Sequence, residues 1–153
     1  MQKFVFMLFV SAVAIGSLAR PACAILQFQK EFVKLYVNDK DGAQKSEGSD
    51  KEASFAELVT GKKTRCFTCH QGKKRKNHNA YGQQLAKLLD KKKDKKDTKK
   101  IVEALEIVGK MHTNAKDKKS PTYADLIKAG KFPGGPLEEV KKEPKADADK
   151  KGA

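Results

Sequence analysis

The sequence contains one Cys-x-x-Cys-His string, which runs Cys66-Phe67-Thr68-Cys69-His70. Two sulfur atoms at this spacing, one helical turn apart, can reach the two vinyl groups on one edge of a porphyrin. The imidazole that follows the second cysteine can then bind the iron. The string therefore predicts one haem c per chain, bound through thioether bonds to Cys66 and Cys69, with His70 as the proximal axial ligand.

The cysteine pair could also serve as a redox-active dithiol or as part of a zinc site. A thioredoxin-like dithiol would lie beside a βαβ unit, and no stretch of the sequence has the alternating pattern of a strand. A tetrahedral zinc site could combine the two cysteines with two of the histidines His70, His78 and His112. A histidine directly after the second cysteine is poorly explained by a zinc site, so the pattern favours haem.

The N-terminal segment has the features of an export signal. Lys3 precedes an apolar run over residues 4–14, and small residues at 22–24 match a signal-peptidase site. We predict a signal peptide over residues 1–24 and a periplasmic or otherwise exported mature chain, because the apolar run is short for a bilayer core. This compartment agrees with haem attachment, which bacteria perform outside the cytoplasm. No membrane span is expected after cleavage.

Apolar residues recur at helical spacing in several segments of the mature chain, and none alternates as in a strand. The predicted helices cover residues 25–37, carry Phe55 to Val59, Tyr81 to Leu89 and Ile101 to Val108, and follow the Ser120-Pro121 pair. Expected caps are a capping box at Ser49-Asp50-Lys51-Glu52, an N-cap at Asn79 and at Ser120, and helix ends at Gly61, Gly109 and Gly130. The fold class is therefore all-α.

Charge and composition predict which of the remaining segments are solvated and where the folded domain ends. Residues 91–100 are almost entirely lysine and aspartate, which predicts a solvated connection. Residues 137–153 lack apolar periodicity, which predicts a disordered tail. Residues 25–136 remain as one domain. Its apolar stripes are few for a chain with a formal net charge of +14, and a buried cofactor would add apolar surface to such a core.

This combination resembles bacterial mono-haem c-type cytochromes: the Cys66–His70 string, helices on both sides of it, and one later methionine before a final helix. The resemblance implies a small cytochrome c-like helical domain around one covalent haem. It also implies a methionine as distal axial ligand, and Met111 is the one methionine outside the leader. His112, His78 or an open position remain alternatives for this ligand. The extra N-terminal helix and the Lys-rich insertion depart from the family pattern.

The resemblance also implies the function. A protein of this kind is not an enzyme but transfers single electrons between redox partners. Basic residues flank the Cys-x-x-Cys-His string, which suggests an acidic redox protein or a membrane respiratory complex as partner, and no nucleic-acid-binding module appears. Two alternatives are a haem subunit of a larger respiratory or dehydrogenase complex and a haem sensor or enzyme with an open iron position. The basic residues are Lys62, Lys63, Arg65, Lys73, Lys74, Arg75 and Lys76.

Overall fold

Helices dominate the structure, a computed structural model that describes residues 26–37 and 54–144. They are α1 (Leu26–Tyr36), α2 (Phe55–Thr60), a 3-10 helix (Arg65–Thr68), α3 (Ala80–Leu88), α4 (Thr98–Gly109), α5 (Tyr123–Lys128) and α6 (Leu137–Val140). These two ranges contain no β-strand. They contain two isolated antiparallel bridges, His70 with His78 and His112 with Thr122. The prediction of an all-α fold is confirmed for this part of the chain.

The core forms around α4, which packs against α1, α3 and α5. Ile101, Leu105 and Val108 are buried along its inner face, as the helical period of these residues predicts. From α1, Phe32 is buried, and the Tyr36 hydroxyl donates a hydrogen bond to the Leu105 carbonyl at 2.8 Å. The N-terminal helix, which departs from the family pattern, is therefore part of the core.

Several helix ends lie where the sequence predicted them. Asn79 caps α3 by accepting a hydrogen bond from the Gly82 amide, Gly61 caps the end of α2, and α4 ends at Gly109. The helix that carries Phe55 has its own capping box, formed by Ser54 and Glu57. The capping box predicted at residues 49–52 lies outside the described residues.

The predicted start of the helix after residue 120 was wrong. Thr122, not Ser120, caps α5, and it forms a capping box with Asp125. The reason lies in the third residue after each candidate. The Asp125 carboxylate accepts a hydrogen bond from the Thr122 amide at 2.9 Å, whereas the third residue after Ser120 is Tyr123, which has no carboxylate. The Ser120 hydroxyl instead donates to the Asp117 carbonyl at 2.6 Å.

The chain remains ordered beyond the predicted boundary at residue 137. Residues 137–140 form α6, and Val140 at its end is buried. The Gly72 amide donates to the Val140 carbonyl at 2.8 Å, and the Lys73 amide donates to the Glu143 carboxylate at 2.9 Å. A single helical turn is too short to show a period in the sequence, which is why this segment was assigned to the tail.

The Lys-rich segment is a set of turns that leads into α4, whose N-cap is Asp97. Its lysines are exposed, as predicted, but Asp94 is buried. The Asp94 carboxylate accepts hydrogen bonds from the Asp90 amide at 2.7 Å and from the Lys100 ammonium at 2.9 Å. The predicted leader over residues 1–24 and the tail from residue 145 lie outside the described residues. No helix in the described ranges has the length and apolar character needed to cross a membrane.

Candidate functional site

A cavity of about 580 Å³ lies against the Cys-x-x-Cys-His string. Cys66, Cys69 and His70, the three residues predicted to hold haem, all line it. Its volume is within the range of small-molecule and cofactor sites in proteins, roughly 300–1,000 Å³. The apolar part of the wall comes from α1, α3 and the C-cap residue of α3, and it consists of Leu26, Phe28, Leu85, Ala86 and Leu89. The cationic part consists of Arg65, Arg75, Lys76 and Lys91.

A tight helical turn places both cysteines on the cavity side. The string lies on the 3-10 helix and its C-cap, Cys69, where side chains three residues apart point in the same direction. The amide of His70 donates to the Cys66 carbonyl at 3.0 Å, which carries the turn on to the histidine. The spacing of the string thus produces the shared face that haem attachment requires.

Asn79 connects this loop to α3. Its Nδ2 donates to the carbonyls of Phe67 at 2.8 Å and Thr68 at 3.2 Å, while its Oδ1 accepts from the Gly82 amide at 2.9 Å. The Asn79 amide also donates to the Cys69 carbonyl at 3.1 Å. Sequence reasoning identified Asn79 as a helix cap but missed its bonds to the loop, because no local pattern shows acceptors eleven or twelve residues away.

The His70 ring is oriented by a backbone carbonyl. Its Nδ1 lies 3.3 Å from the Asn77 oxygen, and a carbonyl oxygen can only accept, so Nδ1 carries the proton and Nε2 keeps its lone pair. His70 is buried, at 7 % exposure. Burial, with a smaller contribution from His78, lowers the pKa of His70 to about 4. Its imidazole is therefore neutral at pH 7, the state in which histidine binds metals.

His78 lies beside His70 on the cavity wall. The two rings are stacked with centroids 5.0 Å apart and planes at 29°, and the residues face each other across an antiparallel bridge. Burial, followed by the charge of Lys91, lowers the pKa of His78. Two imidazoles that bind one iron from opposite sides meet it end to end across the porphyrin plane. The stacked arrangement is different, so His78 is a neighbour of His70 and does not lie opposite it.

Met111 and His112 lie away from the cavity, directly after α4. The Met111 amide donates a hydrogen bond to the Val108 carbonyl at 3.0 Å, and the Met111 carbonyl accepts one from the Tyr123 amide at 3.0 Å. The Met111 side chain packs against the hydrophobic core. The Nδ1 atom of His112 lies 2.5 Å from the Ser120 carbonyl oxygen. Neither residue lines the cavity. The structure therefore does not bring Met111 to His70, and its role as distal ligand stays a prediction.

The two cysteines of the string are in different states. Cys69 is a free thiol, and burial raises its pKa to about 12, whereas Cys66 is half of a disulfide. They are therefore not bonded to each other, and Cys69, which is half-buried, stays protonated at neutral pH, where a thiol is a poor nucleophile. These features differ from those of a redox-active dithiol.

A zinc site is not formed by the residues that the structure describes. Nowhere in residues 26–37 and 54–144 do three His, Cys, Asp or Glu side chains come close enough together to hold a metal ion. A porphyrin supplies four nitrogen ligands itself and needs only axial ligands from the protein. Single residues such as His70 are sufficient for that purpose. No family model, curated protein or solved structure matches this chain.

Proposed function

We propose that this chain is an exported c-type cytochrome that carries one haem c and transfers single electrons. The observation that carries the proposal is the position of Cys66, Cys69 and His70 together on the wall of one cavity of about 580 Å³. Haem supplies an iron atom that alternates between the ferric and ferrous states. The protein has to attach it, supply an axial ligand and limit the access of water.

The cavity wall suits an amphiphilic macrocycle. Its apolar side chains can cover the porphyrin ring, and its four cationic side chains can pair with the ring's carboxylates. The Nε of Arg65 is buried and has no hydrogen-bond partner among the described residues, which indicates that an acceptor belongs in this part of the wall. Attachment to Cys66 requires its thiol, so a thiol reductant must first supply two electrons and two protons that break the disulfide of Cys66 into two thiols.

Hydrogen bonds within the protein hold His70 and the loop that bears the string in place. The Asn77 carbonyl sets the tautomer of His70, so that Nε2 is the atom available to iron. Asn79 fixes the loop that bears the string against α3. A ligand set held by such contacts changes little in geometry when an electron arrives, and this rigidity favours fast electron transfer.

The positive charge around the cavity indicates which kind of redox partner the protein binds. Arg75, Lys76 and Lys91 are exposed at the cavity, and positive charge around a redox centre attracts an acidic partner. An acidic redox protein, or a membrane respiratory complex with an acidic docking face, suits this surface. The rate of electron exchange with such a partner is expected to fall as ionic strength rises.

Expression with its leader in a haem-maturing bacterial host tests the proposal. The periplasmic fraction should contain a red protein that stains for haem on a denaturing gel, because thioether bonds survive denaturation. Cys69→Ala should lose one of the two bonds, and Cys66→Ala together with Cys69→Ala should lose the stain. His112→Ala, a histidine away from the cavity, is the matched control and should keep it. A colourless wild-type protein would overturn the proposal.

A haem sensor or enzyme with an open iron position is a second candidate. One observation favours it: Met111 and His112 do not line the cavity, and His78 stacks on His70. An open position would make the iron high-spin and allow the reduced protein to bind carbon monoxide. A low-spin spectrum that does not change when carbon monoxide is added would exclude this candidate and favour electron transfer.

A further inference from the structure

The Lys-rich segment contains one lysine that differs from its neighbours in position. Lys91 lines the cavity, whereas Lys92, Lys93, Lys95 and Lys96 do not. Its charge also lies near enough to lower the pKa of His78, together with the larger effect of burial. The sequence gives no means of distinguishing Lys91 from the other lysines of this segment. Only the fold distinguishes Lys91, because it places this lysine, and none of the four others, on the cavity wall.

Lys91 lies three residues beyond the C-terminal end of α3, on the part of the cavity wall that follows this helix. The start of α3 touches Cys69 at Gly82, where an added Cβ would lie 1.9 Å from the Cys69 oxygen. From Gly82 to the end of α3 at Leu88 the helix advances about 9 Å, at 1.5 Å per residue, and Leu89, Asp90 and Lys91 continue the cavity wall. This length is comparable with the width of a porphyrin.

Asp90, the acidic residue next to Lys91, forms no ion pair with the Lys91 ammonium group. The Asp90 carboxylate accepts hydrogen bonds from the amides of Lys92 at 2.7 Å and Lys93 at 2.9 Å. None of the ion pairs found among the described residues includes Lys91. Its ammonium group is therefore available to an anion in the cavity.

A haem bound through its vinyl edge directs its two carboxylates to the opposite edge. We propose that Lys91 binds one of these carboxylates, so that the Lys-rich segment closes the far end of the haem site. This inference rests on the proposed function and goes beyond it, because it assigns a ligand-binding role to a residue outside the Cys-x-x-Cys-His string. A lysine pairs with a carboxylate as a point charge, so an arginine at the same position should also serve.

The experiment compares Lys91→Gln, Lys91→Arg and Lys92→Gln in the haem-loaded protein. Lys91→Gln should shift the resonance Raman bending band of the haem carboxylates and lower the reduction potential, because a positive charge near the iron disfavours the ferric state. Lys91→Arg should retain the wild-type potential, and Lys92→Gln, the adjacent control, should retain both properties. Lys91 is exposed, so these substitutions leave the core intact.

The possible failures are distinguishable. Wild-type protein without covalent haem would contradict the proposed function itself. Haem-loaded protein in which Lys91→Gln and Lys92→Gln give the same Raman band and potential would overturn the role of Lys91 and leave the proposed function in place.

Discussion

Gly82 and Cys69 are in direct backbone contact: a Cβ atom added at Gly82 would lie only 1.9 Å from the Cys69 carbonyl oxygen. Such a distance is far below van der Waals contact, so any larger residue would force α3 away from the Cys-x-x-Cys-His loop. The Cys69 oxygen also accepts a hydrogen bond from the amide of Asn79, the N-cap of α3. The first turn of α3 thus fixes the position of the second cysteine.

Gly82→Ala is therefore expected to destabilise the protein. In an exposed helix interior the same change stabilises by up to about 1 kcal/mol, because alanine has the higher helix propensity. Here the clash with a backbone atom dominates, and overpacking of this kind typically costs about 1–3 kcal/mol. Urea unfolding of the mature chain measures the change. Gln84→Ala, two residues further along α3, is the control, and an equal or higher stability of Gly82→Ala would contradict the close contact.

The Asn79 side chain has two functions: its oxygen caps α3, and its nitrogen donates hydrogen bonds to the loop that bears the string. Two substitutions separate these functions. Asn79→Ser keeps an oxygen that can cap α3 but loses the Nδ2 donors to the loop carbonyls. Asn79→Ala loses both. We expect Asn79→Ala to be less stable than Asn79→Ser by about 1 kcal/mol, the usual contribution of a cap.

Comparison of both variants with the wild type completes this test. Asn79→Ser should itself be destabilised, because the Phe67 and Thr68 carbonyls lose their donor, at roughly 0.5–1.5 kcal/mol per hydrogen bond. Chemical denaturation gives both differences. Wild-type stability in Asn79→Ser would show that the bonds to the loop contribute nothing beyond the cap.

Sequence reasoning succeeded where the information is local. The helical period of Ile101, Leu105 and Val108, the cap at Asn79 and the common face of Cys66 and Cys69 all depend on residues a few positions apart. It failed for features that depend on distant segments. Residues of α1 line the cavity, and the Gly72 amide is hydrogen-bonded to the last residue of α6. Neither long-range contact produces a pattern in the sequence. Met111 was assigned as distal ligand by resemblance. It does not line the cavity, and its role as a ligand stays a prediction.

The stability of the haem-free chain is expected to fall in mild acid because of His70. Its pKa is about 4 in the folded chain and about 6.5 in an unfolded one. Between these values the unfolded state binds a proton that the folded state excludes, so the free energy of unfolding decreases as pH falls from about 6.5 to about 4. The full effect of such a shift is on the order of 3 kcal/mol.

Denaturation of the haem-free chain at a series of pH values measures this effect. His70→Gln should reduce the slope in that pH window, since glutamine does not titrate. His112→Gln keeps His70 and serves as the matched control. An unchanged slope in His70→Gln would show that His70 is not the buried, neutral imidazole that the site requires.

Met111→Leu tests the remaining axial ligand in the haem-loaded protein. The Met111 side chain packs against the core, and its backbone is bonded to Val108 and Tyr123, so it can reach the cavity only if the chain after α4 moves. The structure therefore predicts an unchanged visible spectrum and reduction potential. Leucine has a similar volume, and the cost in stability should stay below about 1.5 kcal/mol. Loss of the weak red absorption band typical of methionine-ligated ferric haem would instead identify Met111 as the ligand. It would then follow that haem binding rearranges the segment between α4 and α5.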